Sequence, residues 1–551
     1  MSIEIQRQKA RGAFFTPPAI SHFLVEWAVR RRSDRVLEPS CGDAAFLVPA
    51  AERLRDLGVS RRNIPNQLQG VEIHKASVEE AEERLDEEGL SATIVHSDFF
   101  DCEPRPVFDA VVGNPPFIRY QSFSGEARAK SLRAALAHGV RLTALASSWA
   151  AFVIHASEFL NENGRLGMVL PAELLSVNYA AEVRRFLLNR FANVRLVLFD
   201  NLVFPGVTAE VVLLLAEGRG TAKSFEVIQL RDLAALADLN GPGSLDFLPS
   251  GGEKWTPALI SSDALKVYRD LTRERAFSRL VDWGETYLGN VTGNNGYFTL
   301  TAEQVGKLKL GPEDLLKISP PGSRHLRGLT FTAKAWREMA NRGARSYLFA
   351  PQGDVLSPAA RAYVTDGERK EVQKAYKCSN RTPWWRVPQV EKPDILFSYM
   401  NHDHPRLIAN DAGISILNSL YGLKLRDQLR DVGKSLLPIA CLNSLTLLGS
   451  EVVGRAYGGG LLKHEPREAD LLPTPSAEAL DEIGGQLALL KPQLAIALRS
   501  NDLSAAVRLV DSVVLTKHMR ITEHELQGLR RARELLFNRR VSRAVSARVS
   551  D

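Results

Sequence analysis

Residues 1–220 of this 551-residue chain alternate short apolar runs with helical stretches. That rhythm constrains the fold more than any other feature, because strands separated by helices join in parallel through crossovers that cover both faces of a sheet. The runs 35–38 (RVLE), 68–73 (LQGVEI), 92–96 (ATIVH), 108–113 (FDAVVG), 166–170 (LGMVL), 194–199 (VRLVLF) and 210–215 (EVVLLL) are the expected strands. The expected class is α/β: a doubly wound, mostly parallel, seven-stranded sheet. Between the strands, 79–88 is heavily charged and reads as a surface helix, while 150–160 sets apolar residues three and four apart. Gly164 is expected to cap that second helix.

Turn formers at 218–220 and 240–252 (NGPGSLDFLPSGG) place a linker at 221–255. An α+β region over 256–475 and a helical, basic C-terminal region over 476–551 follow. With 45% hydrophobic and 24% charged residues, wholesale disorder is excluded. No apolar run approaches the ~20 residues that cross a bilayer, so no membrane partner is expected. Residues 1–11 are polar, unlike a secretion signal, and a cytoplasmic location is expected. The four cysteines (Cys41, Cys102, Cys378, Cys441) are scattered without a CxxC pair, which argues against a disulfide framework or zinc cluster. A net charge of +6 is a mild bias, compatible with a polyanionic partner.

Four segments fall at the carboxyl ends of expected strands, the edge where open α/β sheets hold ligands. The first strand ends in Glu38-Pro39-Ser40-Cys41-Gly42-Asp43-Ala44-Ala45-Phe46, a turn of small residues whose amides can approach a ligand at a helix N-terminus. The second delivers Glu72, which can accept two ribose hydroxyls; a solvated strand-end carboxylate is the plainer reading. The third leads to Ser97-Asp98-Phe99, where Asp98 can take adenine N6 hydrogens and Phe99 can lie against the ring, or Asp98 can cap a turn. The fourth ends in Asn114-Pro115-Pro116-Phe117. This signal is sharper, since a proline turn requires neither the asparagine nor the aromatic.

An exocyclic amine conjugated to a ring is a poor nucleophile, because its lone pair is delocalised. The Asn114 side-chain oxygen and the Pro115 carbonyl can each accept one amine hydrogen and draw the nitrogen toward a tetrahedral shape. Consecutive prolines stiffen the loop, so both acceptors are in place before reaction. Phe117 offers a stacking face, worth ~1–3 kcal/mol per base. The nitrogen sheds its proton after transfer, which leaves alignment as the main source of acceleration.

In this order, the segments resemble the gamma-order amino-group DNA methyltransferases, of which the TaqI-type adenine enzymes are familiar. The resemblance covers about residues 12–217 and implies an S-adenosylmethionine-dependent methyltransferase sheet with that cofactor. It implies that Phe15-Thr16-Pro17-Pro18 closes over the methionine end of the cofactor, and that Glu38, Pro39, Ser40, Cys41 and Gly42 line its loop. Glu72 would hold the ribose, and Asp98 with Phe99 the adenine. Asn114, Pro115, Pro116 and Phe117 would be the catalytic tetrapeptide. Phe204, within Val203-Phe204-Pro205, would sandwich the extruded base opposite Phe117. One position departs: where the family usually has a second glycine, this chain has Ala44, which at positive φ would carry ~1 kcal/mol or more of strain.

The tetrapeptide alone does not specify DNA, since protein-glutamine and ribosomal-RNA methyltransferases resemble it too. The large C-terminal part tips the balance, because a target-recognition domain follows the catalytic domain in gamma-order enzymes. Segments 289–295 (GNVTGNN), 381–388 (RTPWWRVP) and 457–466 (YGGGLLKHEP) look like those regions. The expected partner is duplex DNA, with the target adenine swung out for N6 methylation at a cost of a few kcal/mol. A cognate restriction endonuclease is the expected functional companion, and asymmetric hemimethylated substrates suit a monomer. Arg119, Tyr120, Arg128, Lys130, Arg133 and Arg141 can meet phosphates near the extruded base, or solvate a helix. Arg381, Arg386 and Lys463 are further candidate DNA contacts. Arg530, Arg531, Arg533, Arg539, Arg540, Arg543 and Arg548 either follow the DNA backbone or form a frayed basic terminus.

No Pro-Cys pair is present, which sets aside a cytosine-C5 enzyme. N4-cytosine or RNA amino-methylation uses the same amine logic, though Ser more often replaces Asn in N4-cytosine tetrapeptides. A non-catalytic specificity subunit with the same fold is the remaining alternative. Pro393-Asp394 has no Glu-x-Lys partner for a nuclease, and His402 and His404 read as loop residues, so no metal is expected.

Overall fold

Leu68–Glu72 and Phe108–Gly113 form strands because their apolar side chains can be buried on both faces of a sheet. The computed structural model describes residues 16–118, 120–199, 203–204, 211–238, 245–247, 254–353, 355–457 and 460–549. Phe15, Arg119, Pro205, Gly458 and Gly459, and the start of the expected strand at 210, lie outside them. The chain divides into two compact units at Ser261 and Ser262, the second running to Val541.

The first unit is built on strands β1 (Val36–Glu38), β2 (Leu68–Glu72), β3 (Thr93–His96), β4 (Phe108–Gly113), β5 (Leu160–Pro171), β6 (Phe191–Phe199), β7 (Val211–Arg219), β8 (Phe225–Leu230) and β9 (Leu245–Phe247). They pair in the order β3-β2-β1-β4-β5-β7-β6-β8-β9. The run from β3 to β5 is parallel, and β7 lies antiparallel between β5 and β6. Helices α1 (Pro18–Ala28) and α2 (Leu47–Asp56) share one apolar cluster with β1 and β4, through Ile20, Leu24, Leu47, Leu54, Val36 and Val112. The longer helices that follow in the unit are α3 (Lys75–Glu87), α4 (Gly125–Ala137), α5 (Ser148–Ser157) and α6 (Ala181–Arg190). Every residue of α5 is buried, which agrees with its apolar composition.

The expected class is the one observed, with two strands more than the seven expected. Those strands replace the expected linker: within 221–255, Phe225–Leu230 pairs in parallel with β6 and Leu245–Phe247 closes that edge. Phe225, Val227, Ile228 and Leu230 are all buried, so the segment contributes apolar area that a free linker would expose. Gly164 does not cap a helix. It lies inside β5, where an added Cβ would meet Leu160 at 2.8 Å.

The second unit carries a five-stranded sheet in the order Gly284–Leu288, Tyr421–Leu425, Ile395–Phe397, Leu407–Asn410 and Thr330–Phe331. The helical C-terminal region packs into this unit, with Ala477–Leu489 against Arg430–Ala440. No single helix among the described residues is long and apolar enough to cross a membrane.

Candidate active site

Strands β1, β2, β3 and β4 are parallel, so their carboxyl ends share one edge, and the order β3-β2-β1-β4 reverses direction of winding at β1 and β4. Crossovers leave in opposite directions there, which is where open α/β sheets generally hold ligands between two loops. The loop after β1 and the loop after β4 flank that point.

The β1 loop is held by short bonds. The Cys41 amide donates to the Val71 carbonyl (3.0 Å) and the Ala44 amide to the Cys41 carbonyl (2.8 Å). Gly42 has φ +49° and Ala44 φ +63°, so the alanine does adopt the left-handed conformation, with the strain that entails. A Cβ on Gly42 would meet nothing within 4 Å, so the backbone faces open space. Glu72 ties the loop to β2: one carboxylate oxygen accepts from the Gly42 amide (3.0 Å), the other from the His74 amide (2.8 Å). Each oxygen keeps acceptor capacity for a further donor. Pro39 packs toward β4, with its Cδ 3.4 Å from where a Gly113 Cβ would sit. Ser40 Oγ reaches the Asn114 carbonyl at 3.5 Å.

Glu38 is 2% exposed, and among the described residues its Oε2 has no hydrogen-bond partner. Burial, reinforced by the charges of Asp43 and Glu72, raises its carboxyl well above the usual range, although the Leu47 and Phe46 amides pull it back. A buried carboxyl oxygen without a donor is the feature of this edge most suited to a cationic ligand group.

The Asn114-Pro115-Pro116-Phe117 turn follows β4 directly. The Asn114 side-chain amide donates to Thr16 Oγ1 (3.2 Å), which brings the segment before α1 to the tetrapeptide; Pro17 is the residue preceding that helix. Ser148, the first residue of α5, grips the turn from behind. Its hydroxyl donates to the Pro116 carbonyl and accepts from the Ile118 amide (2.9 Å), and its amide donates to the Ile118 carbonyl (3.1 Å). Phe117 is half-buried against the apolar cluster that contains Val203 and Phe204, the latter 5% exposed.

The expected adenine contacts fare differently. Asp98 caps the turn Phe99–Asp101 through the Phe100 amide (3.0 Å) and lies 3.8 Å from Lys130. Phe99 is only 3% exposed, its centroid 5.4 Å from Phe152, 5.2 Å from Phe159 and 4.9 Å from His155. That packing takes the ring into the core, so the expectation that it lies against a ligand is corrected. Ile73, overlooked in the sequence, is 51% exposed directly after Glu72 and is the apolar surface at that place.

Among the candidate DNA contacts, Arg381 donates to the Val291 and Thr292 carbonyls, so it braces the 289–295 segment rather than facing outward. Lys463 pairs with Glu465 (2.7 Å) over the Tyr457 ring. Arg386 is exposed beside Trp385. Tyr120 is 39% exposed, and Arg128 is half-buried at the start of α4. In the C-terminal helix, Arg530 pairs with Asp511, Arg533 donates to the Asp403 carbonyl, Arg539 is buried, and Arg540 pairs with Glu451. These four are internal, which corrects the expectation that the arginines there follow DNA or fray. Arg531 is exposed, and the side chains of Arg543 and Arg548 lie outside the described ones. Asp394 accepts from the Leu425 amide (3.1 Å), a structural duty. His404 is buried beside Asp403 rather than in an open loop.

A parallel β3-to-β5 run, with β7 inserted antiparallel before β6 and the loops after β1, β2 and β4 on one edge, defines the S-adenosylmethionine-dependent methyltransferase fold. Residues 4–237 match the N-6 DNA Methylase family model, and residues 252–515 match the C-terminal domain of Type II methyltransferase M.Eco57I. The chain therefore belongs to the type II DNA methyltransferase family of restriction–modification systems. It is 22% identical over 480 residues to Type II methyltransferase M.AccI of Acinetobacter calcoaceticus, covering 85% of this chain and 86% of the relative. It is 24% identical over 492 residues to Type II methyltransferase M.XamI of Xanthomonas campestris pv. amaranthicola, covering 86% and 87%. Among solved structures, the type IIL restriction-modification enzyme MmeI in complex with DNA is similar at a TM-score of 0.54 and 13% identity, covering 94% of this chain and 75% of that one.

Proposed function

We propose that this chain methylates N6 of adenine in duplex DNA, on a base swung out of the helix, with S-adenosylmethionine as donor. The observation that carries the reading is a stiff turn, Asn114 to Phe117, fixed from two sides at the sheet edge that also holds Glu38 and Glu72. The cofactor supplies an electrophilic methyl group on a positively charged sulfur when bound. Glu38 fits its α-ammonium group, since the buried Oε2 has no other partner among the described residues. Glu72 fits the ribose hydroxyls, and Thr16, Pro17 and the Pro39 to Gly42 backbone complete the cradle. Ile73 and Asp98 are the groups left for the adenine.

On the substrate side, Asn114 and the Pro115 carbonyl each accept a hydrogen of the amine and localise its lone pair. Among the described residues no backbone amide donates to the Pro115 carbonyl, which supports its role as the second acceptor. Phe117 contributes an aromatic surface for the extruded ring, whereas Phe204, 5% exposed, is buried in the cluster behind it, which corrects the expectation that it sandwiches the base. The rest of the chain serves target recognition, and Tyr120, Arg128 and Arg386 remain candidate phosphate contacts. Protection from a cognate restriction endonuclease is the setting that family membership favours. Asparagine at the head of the tetrapeptide, and the N-6 DNA Methylase match, favour adenine over cytosine N4.

The test is to express the protein in cells without adenine methylation and sequence their DNA with detection of modified bases. N6-methyladenine at one recurring site is expected. N4-methylcytosine, or methylated RNA with unmodified DNA, would overturn the reading.

A further inference from the structure

We infer that Ser148 is a positioning residue that sets the acceptor turn, an inference that rests on the amine chemistry proposed above. Neither Pro115 nor Pro116 has an amide hydrogen, so the turn cannot fix itself through the usual internal bonds. Its shape has to be imposed by a neighbour. Ser148 does this with one side chain and one amide: its hydroxyl donates to the Pro116 carbonyl and accepts from the Ile118 amide, and its own amide donates to the Ile118 carbonyl.

Two consequences follow from that geometry. The Pro116 carbonyl is occupied, so the carbonyl left for an amine hydrogen is that of Pro115, one residue earlier. Phe117 lies between the two braced residues, so the same bonds fix the direction in which its side chain leaves the turn. The brace is itself anchored. Trp149, the next residue of α5, is fully buried and donates its indole N–H to Tyr179 Oη (3.1 Å), which donates to Glu173 Oε2 (2.5 Å) in the segment after β5. Ser148 therefore links the turn after β4 to a buried network after β5, and neither Glu38 nor Glu72 takes part in it.

Removing the hydroxyl leaves the Pro116 carbonyl and Ile118 amide without their partner, and the turn relaxes while the β1 and β2 loops keep their bonds. The loss should fall on the chemical step. The test uses purified full-length protein in excess over sites, tritiated S-adenosylmethionine, and bacterial genomic DNA free of adenine methylation, which contains every recognition sequence. Single-turnover methylation by Ser148→Ala should slow by about 10- to 100-fold, the upper figure being what a 1 Å misplacement of reacting groups brings. Cofactor affinity by calorimetry should not change, and Ser148→Thr, which keeps the hydroxyl, should recover most of the rate. Should the alanine protein not fold, Ser148→Cys, nearly isosteric but a weak donor, takes its place under the same criteria. An alanine variant as fast as wild type, a threonine variant as slow as alanine, or a parallel loss of cofactor affinity would overturn the brace. A wild type that methylates no adenine in this DNA would instead overturn the reading on which the brace rests.

Discussion

The carboxyl edge of the first unit's sheet and the helix Glu523–Val549 both gather charged and polar groups, yet they use them in opposite ways. At the sheet edge, hydrogen-bonding capacity is left over: Glu38 Oε2 is buried without a described partner, Glu72 accepts one amide at each oxygen, and among the described residues no backbone amide donates to the Pro115 carbonyl. Along the helix, Arg530, Arg533 and Arg540 spend theirs on internal partners. Arg540 and Glu451, each with side chains 3% exposed, pair at 2.7 Å, and Arg540 also donates to the His402 and Gly460 carbonyls. The helix has far more charge and less to offer a ligand. Function follows unsatisfied capacity in a fixed geometry, not the tally of charges.

The comparison can be broken at several points. The largest effect is expected for Asn114→Ala: about a thousandfold loss of single-turnover methylation, as for other fixed groups that meet developing charge. Cofactor affinity by calorimetry should fall far less, since only the bond to Thr16 is lost on that side, and turnover near wild type would remove the mechanism. Next, Arg540→Ala should cost about 3–5 kcal/mol in denaturant unfolding, because Glu451 is left charged and buried. Arg531→Ala, on the exposed side of the same helix, should stay within about 0.5 kcal/mol. Equal effects would mean that this helix is not divided into internal and solvated arginines.

Glu38 gives a pH signature. Its free carboxyl is held well above the usual range, chiefly by burial, so in the free protein the neutral form persists to higher pH. Only the ionised form pairs with an ammonium group, so cofactor affinity should rise with pH through that window, by about tenfold per unit below the carboxyl pKa, with a proton released on binding. Glu38→Gln should bind more weakly and lose this dependence; a wild-type affinity flat with pH would contradict the assignment. The smallest effect belongs to Ala44→Gly. Relief of ~1 kcal/mol of left-handed strain is offset by ~0.8 kcal/mol for the lost buried methyl and by glycine's greater unfolded freedom, so the melting temperature should barely move.

Strands β1 to β4 were legible to within a residue or so, because short runs with an apolar centre, set between helices, leave little choice of position. Strand β8 was not. Its polar Glu226 and Gln229 and the glycines around it imitate a linker, and only pairing with β6 reveals it. The first half of β5 hides likewise behind Asn161, Glu162, Asn163 and Gly164, where the glycine reads as the end of a helix. At the site, positions set by the backbone were readable: Gly42 and Asn114 follow the ends of β1 and β4 whatever the side chains do. Roles that depend on side-chain direction were not. Phe99 and Phe100 are neighbours, yet Phe99 turns into the core, while Ile73 stays exposed. Ser148 is 32 residues from Pro116, and nothing local to either announces the bond between them.

The central claim is that two acceptors on one stiff turn grip the hydrogens of the target amine. It is tested most directly by a structure of the protein with a non-reactive cofactor analogue and duplex DNA carrying its site. The account predicts the adenine extruded, with N6 at about 2.7–3.2 Å from both Asn114 Oδ1 and the Pro115 carbonyl oxygen. An adenine N6 held by other groups, or a Pro115 carbonyl turned away from it, would contradict the account.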